Sequence, residues 1–246
     1  MTQNVLLNHE DHKQIKIDTR RGSELPNAYG DKVNACLTFV GEFRTVQAHY
    51  PLFFQRDGQT GFFHPIALLG FELGENLYLR EGEWDAPYVP ALISRQPFSI
   101  GFKTLEDGEK QRVVHIDLDN PRVNQEQGES LFLEVGEHSP YLQKMAALLE
   151  NIHEGMEQNK LFSAALIELD LVESFSVEIE LADGSTNQLL GYYTINEEKL
   201  FKLKQEDVAS LNEKGFLAAI YMMMASQSQL SALIHRKNKT LQKSFT

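Results

Sequence analysis

The chain has 246 residues, 42% of them hydrophobic and 24% charged, a globular composition near the upper size for one hydrophobic core. Its 23 basic and 35 acidic residues leave a net charge of −12, which repels phosphate backbones and anionic headgroups, so no nucleic-acid partner is expected. A single cysteine, Cys36, excludes an internal disulfide and a thiolate metal site; with a start that carries no apolar signal core, it predicts a reducing, cytoplasmic setting.

The first 135 or so residues are rich in aromatics, β-branched residues and turn signals, and read as strands. Candidates are Leu37–Val40, Leu52–Phe54, Phe62–Leu69, Asn76–Leu79, Phe98–Phe102 and Arg112–Leu118, with a brief helix over Glu42–Tyr50 that stops before Pro51. At Ser139-Pro140 the character changes, since serine suits an N-cap and proline a first helical position. Leu142, Met145, Leu149, Ile152 and Met156 then form one apolar stripe at helical spacing, and a second helical segment covers Phe162–Leu169. Phe175, Val177, Ile179 and Leu181 alternate as on a strand, and Asp183-Gly184 turns the chain into a partner strand over Gln188–Thr194. Asn196 caps a turn, Glu206–Glu213 is helical, and Phe216–Leu233 forms a final helix. Its most apolar run, Phe216–Ala225, is about half the length a bilayer requires, so no membrane insertion is expected.

These elements predict an α+β fold: a mostly antiparallel sheet from the N-terminal half plus the 175–194 hairpin, covered by C-terminal helices. A jelly-roll-like all-β core with added helices is the alternative. The chain reads as a single domain over 1–246, or as a β-rich 1–135 and a helix-rich 136–246 subdomain.

Chemistry-bearing motifs are sparse: there is no glycine-lysine phosphate loop, nucleophile elbow or dinucleotide fingerprint. His115 and Asp117, two apart on a strand, point the same way and offer two ligands of a two-histidine, one-carboxylate iron site, with His138, His153 or His235 as the distant third. A structural role for them, with no metal, is the simpler reading. Cys36 abuts an apolar strand and reads as buried. The densest unusual segment, Asn76–Phe98, holds the only tryptophan, Trp84, with Tyr88, Arg95 and three prolines, residue types that suit a stiff recognition loop; a Trp84 that plugs the core beneath that loop is the simpler reading.

That segment also carries a resemblance. Tyr50-Pro51-Leu52-Phe53-Phe54, Ala67-Leu68-Leu69-Gly70, Gly74-Glu75-Asn76-Leu77-Tyr78, and Gly82-Glu83-Trp84-Asp85-Ala86-Pro87-Tyr88-Val89-Pro90-Ala91 together resemble the SapC family. The likeness continues through Ser94-Arg95-Gln96-Pro97-Phe98, where the family's usual tyrosine is Gln96, and through Ile116-Asp117 and Asn124–Phe132. It extends over Leu169–Glu173 and Leu190–Ile195 to Leu217–Leu230. The family is named for a bacterial protein encoded with a surface-layer system, and similar proteins occur beside halogenase-like flavoproteins, cupin-like oxygenases and outer-membrane receptors. The resemblance therefore implies a soluble, non-enzymatic accessory or binding protein linked to surface-layer or outer-membrane uptake systems. Asn76, Trp84, Tyr88, Arg95, Asn124 and Glu126 are its candidate residues for a protein partner or a small ligand, with no cofactor. The alternative is an iron(II)-dependent oxygenase-like enzyme using His115 and Asp117.

Overall fold

A computed structural model describes residues 4–105 and 107–243. Its strands are β1 (Asn4–Leu6), β2 (Lys16–Ile17), β3 (Ala35–Leu37), β4 (Leu52–Arg56), β5 (Phe63–Leu68), β6 (Leu79–Arg80), β7 (Glu83–Trp84), β8 (Phe98–Thr104), β9 (Lys110–Asp117), β10 (Val123–Asn124), β11 (Glu129–Ser130), β12 (Val172–Glu180) and β13 (Thr186–Ile195). The helices are α1 (His9–His12), α2 (Phe43–Val46), α3 (Ala91–Ser94), α4 (Pro140–Glu168), α5 (Glu197–Phe201), α6 (Gln205–Glu213), α7 (Phe216–Ser226) and α8 (Gln229–Lys243). All strand pairs are antiparallel, which gives the expected α+β fold.

The chain divides into two compact units, each assembled from three stretches. The first holds the chain up to Asp31, Leu79–Trp84 and Ala91–Glu154. It contains the small sheets β1-β9-β8, β10-β2-β11 and β6-β7. Helix α4 begins where the sequence predicts: Ser139 Oγ accepts from the Leu142 amide (3.1 Å) and donates to the Ser130 carbonyl (2.6 Å). This satisfies one of the amides that a helix start leaves unpaired. The stripe Leu142, Met145 and Leu149 then packs against Ile15, Ile17, Phe98, Ile116, Leu131 and Phe132, forming this unit's core.

The second unit holds Lys32–Tyr78, Asp85–Pro90 and the chain from Gly155 onward. Its five-stranded sheet has the order β12-β13-β4-β5-β3. Alternation along β12 and β13 is interrupted once, where the register shifts between Phe175 and Val177; there Gly191, with φ of 80°, takes the left-handed conformation of the extra residue. On β4, Leu52, Phe53 and Phe54 are all buried, so their apolar run is continuous instead of alternating. Phe53 meets Phe175, with ring centroids 4.6 Å apart, and Phe54 meets Phe162 at 6.1 Å; Phe162 also contacts Phe216 at 5.2 Å.

Two helix boundaries differ from those expected. Instead of two helical segments, α4 is one helix of 29 residues. Nothing between Met156 and Phe162 breaks it, and buried Asn159 stays inside because its amide donates to Thr38 O (2.8 Å) and its Oδ1 accepts from Val40 N (3.1 Å). Conversely, the predicted final helix is two, α7 and α8, separated by a turn at Gln227-Ser228. The break is pinned by β4: Ser226 Oγ accepts from Leu52 N and Gln227 Nε2 donates to Leu52 O, each at 2.9 Å. By length and composition alone, Phe216–Gln242 would suffice to cross a membrane. The turn interrupts that stretch, and Phe216, Ala219, Ile220, Met223 and Leu233 are buried within the second unit.

Candidate functional site

The residues singled out in the sequence are divided between the two units. Trp84, Arg95, Asn124 and Glu126 belong to the first unit, and Asn76 and Tyr88 to the second. Trp84 is 8% exposed, with the Arg21 guanidinium 6.0 Å from its ring centroid. Arg95 donates from Nη1 to the Phe98 carbonyl (2.6 Å), and burial lowers its pKa. Tyr88 donates to buried Glu42 Oε1 (2.8 Å); burial, followed by the Glu42 charge, raises its pKa. Asn76 Oδ1 accepts from Tyr78 N (3.0 Å). Asn124 Oδ1 accepts from the amides of Glu126 (2.9 Å) and Gln127 (2.8 Å), a loop-forming role, while Glu126 is exposed and its carbonyl takes a bond from Lys16 Nζ (3.3 Å).

His115 and Asp117 do lie on one strand, β9. The imidazole covers Gly101 so closely that a Cβ there would stand 2.3 Å from Nε2, and Asp117 Oδ1 accepts from Asp119 N (3.2 Å). His138 stacks edge-on against Phe132 and His153 against Phe102. Among the described residues no three histidine, cysteine or carboxylate side chains gather as a metal site.

A different cluster in the first unit surrounds an opening. Four separate stretches of chain line a cleft of about 310 Å³: Asp18, Thr19 and Arg21; Ser94 and Gln96; Arg122 and Glu129; and Tyr141, Lys144 and Met145, with Ile17 at its floor. The fully buried Asp31 carboxylate is shared, its Oδ2 accepting from Arg21 Nη1 (2.6 Å) and Arg122 Nη2 (2.7 Å). Arg122, 1% exposed, is held further by bonds from Nη1 to the carbonyls of Asp18 (3.1 Å) and Arg20 (2.8 Å), and lies 5.2 Å from the Tyr29 ring centroid. Burial lowers its pKa, opposed by Asp31. Asp18 is bonded by Arg20, Tyr29 and Gln127, and the Arg20 bond holds its pKa at about 2 despite burial. Burial pushes Tyr141 up to about 12, with Arg122 and Arg21 opposing.

Local sequence explains the placement. Ala28, Tyr29 and Gly30 all adopt left-handed backbone, with φ of 45°, 51° and 84°, at the end of a 3₁₀ turn over Pro26–Gly30. That conformation is costly for alanine and tyrosine, and such strain concentrates at functional sites. Here it leads from Tyr29, whose hydroxyl reaches Asp18, to Asp31, which reaches both arginines. Strands β10 and β11 both pair with β2, so the Asn124–Ser130 loop arches over it. Gly128 permits the close approach: its φ is 104°, and a Cβ would lie 2.1 Å from Ile17 O. The loop places Gln127 Nε2 3.3 Å from Asp18 Oδ2.

Two other openings among the described residues differ in their lining. An apolar groove of about 440 Å³, lined by Leu6, Ile100, Val114, Leu142 and Leu149, has its one acid-base pair, Arg112 and Glu150, already joined at 2.8 Å. In the second unit, a recess of about 220 Å³ near Tyr78 is filled by Arg236, which bonds Asp85 and stacks on Tyr78 at 4.4 Å.

The model of the SapC family matches residues 7–233 of the chain. The chain belongs to the SapC family. No curated protein and no solved structure is detectably similar to it. The match spans every cleft-lining residue. Sequence reasoning missed Arg21, Asp31 and Arg122. The available signals were the Arg20-Arg21-Gly22 step in an acidic chain, and Arg122 two residues before the Asn124–Phe132 motif.

Proposed function

We propose that this SapC-family chain is a non-enzymatic binding protein, an accessory to a surface-layer or outer-membrane uptake system, whose recognition site is the arginine cleft and whose ligand is a small molecule. The carrying observation is convergence: four separate stretches surround an opening of about 310 Å³, the scale of a small-molecule pocket. Two of the groups there are held away from the range of a general acid or base. Asp18 at about 2 and Tyr141 at about 12 are far from neutrality, whereas an efficient general acid or base titrates near the working pH. The surface-layer and uptake connection follows from membership of the family.

The test is a thermal melt of purified protein against the small-molecule fraction of a bacterial extract. A ligand should raise the melting temperature of the wild type and leave Arg21→Gln unmoved. Equal shifts in both proteins, or none in either, would remove the cleft as the recognition site.

A further inference from the structure

We infer that the arginine cleft binds an oxyanion, a carboxylate or a phosphate group, at the accessible face of Arg21, with Arg122 and Asp31 buried behind it; this rests on the cleft being the small-molecule site. The charged residues that line it are Arg21, Arg122 and Lys144 against Asp18 and Glu129, in a chain of net charge −12. Arg20 neutralises Asp18, but Asp31 alone serves two guanidiniums. A buried cation is expensive unless paired, so this arrangement holds a positive charge that an arriving anion meets.

Donor capacity agrees with the charge. Arg122 commits Nη1 to two backbone carbonyls and one Nη2 hydrogen to Asp31. Its Nε–H is sealed from solvent, so Arg122 contributes charge to the cleft and Arg21 the accessible donors. Arg21 gives one bond to Asp31 and one long bond, 3.4 Å, to the Ile93 carbonyl, leaving further N–H groups uncommitted. Planar guanidiniums suit oxyanions, which accept paired N–H bonds in one plane. Around them Thr19 and Gln96 supply hydroxyl and amide groups, while Tyr141 and Met145 offer an apolar wall for the rest of the molecule. The small volume and the acidic chain disfavour a polymer backbone as the source of the anion.

The test follows the arginine Nε–H resonances of ¹⁵N-labelled full-length protein during titration with succinate, inorganic phosphate, neutral succinamide and cationic ethanolamine at constant ionic strength. Saturating shifts with succinate, phosphate or both are expected, the stronger binder identifying the source, and Arg21→Gln should weaken binding by about tenfold or more. Arg21→Lys, which keeps the charge and loses the planar fork, should fall between. Shifts with succinamide or ethanolamine but not with the anions would overturn the oxyanion while leaving a small-molecule cleft. Shifts with none of the four would overturn both readings. Because the wild-type titration decides by itself, a variant that fails to fold does not rescue the proposal.

Discussion

Replacing Asp31 by asparagine removes the carboxylate shared by Arg21 and Arg122, at 2.6 and 2.7 Å, while keeping its volume and one acceptor. Both groups of the inner pair are sealed from water, Asp31 at 0% and Arg122 at 1% side-chain exposure, so the guanidinium has no solvent to turn to. Breaking a buried pair from one side costs about 3–5 kcal/mol. The amide oxygen recovers part of this, so the expected loss is about 3 kcal/mol. Trp84, the only tryptophan, lies in the same unit, so its fluorescence during urea unfolding reads the affected part of the molecule. At a typical slope of about 1–3 kcal/mol per molar urea, the midpoint should fall by about 1–3 M. The same substitution in an Arg122→Met background should cost less, because only Arg21 is then left unpaired, with a coupling of about 1–3 kcal/mol. A loss below about 1 kcal/mol, or equal losses in the two backgrounds, would refute the shared-carboxylate account.

Three further outcomes are expected. Asp18 has a folded pKa of about 2, below its unfolded value near 3.9, so its contribution is complete above about pH 4 and fades as the pH falls toward 2. That is a loss of about 2 kcal/mol, which Asp18→Asn should erase from the pH dependence of the urea midpoint; an unchanged dependence counts against it. Gly155→Ala should destabilise by about 1–3 kcal/mol in circular-dichroism melts although alanine is the better helix former, because the new Cβ would stand 2.2 Å from the Phe39 ring. A higher melting temperature would show that the ring yields freely. Burial, with the Glu42 charge adding to it, pushes the Cys36 thiol up. Ellman's reagent should therefore leave it unmodified in folded protein at pH 8 and titrate it in urea; rapid labelling of the native chain would contradict that burial.

Much of the architecture could be read from the residues, because periodicity is local. The stripe from Leu142 to Leu149, the Ser139-Pro140 start and the 175–194 hairpin each depend on neighbours a few positions away, and each is present. The two misread helix boundaries depended on distant partners. Asn159 is tied to Thr38 and Val40, and Ser226 and Gln227 to Leu52, so neither the unbroken α4 nor the break after α7 is written nearby.

The site divides the same way. The sequence by itself determined the family, the acidic balance and the loops that frame the cleft: Asn124 holds the arch over β2, and Ser94 and Gln96 reach the opening. Only the tertiary structure decided which arginines matter. Arg21 and Arg122 are ordinary surface residue types in a linear chain; Asp31 lies 10 positions from one and 91 from the other, and left-handed Ala28 and Tyr29 precede it without any residue type that demands that conformation. Burial turns those three charges from solvated groups into a fixed array, and burial is a property of packing across the chain, not of local order.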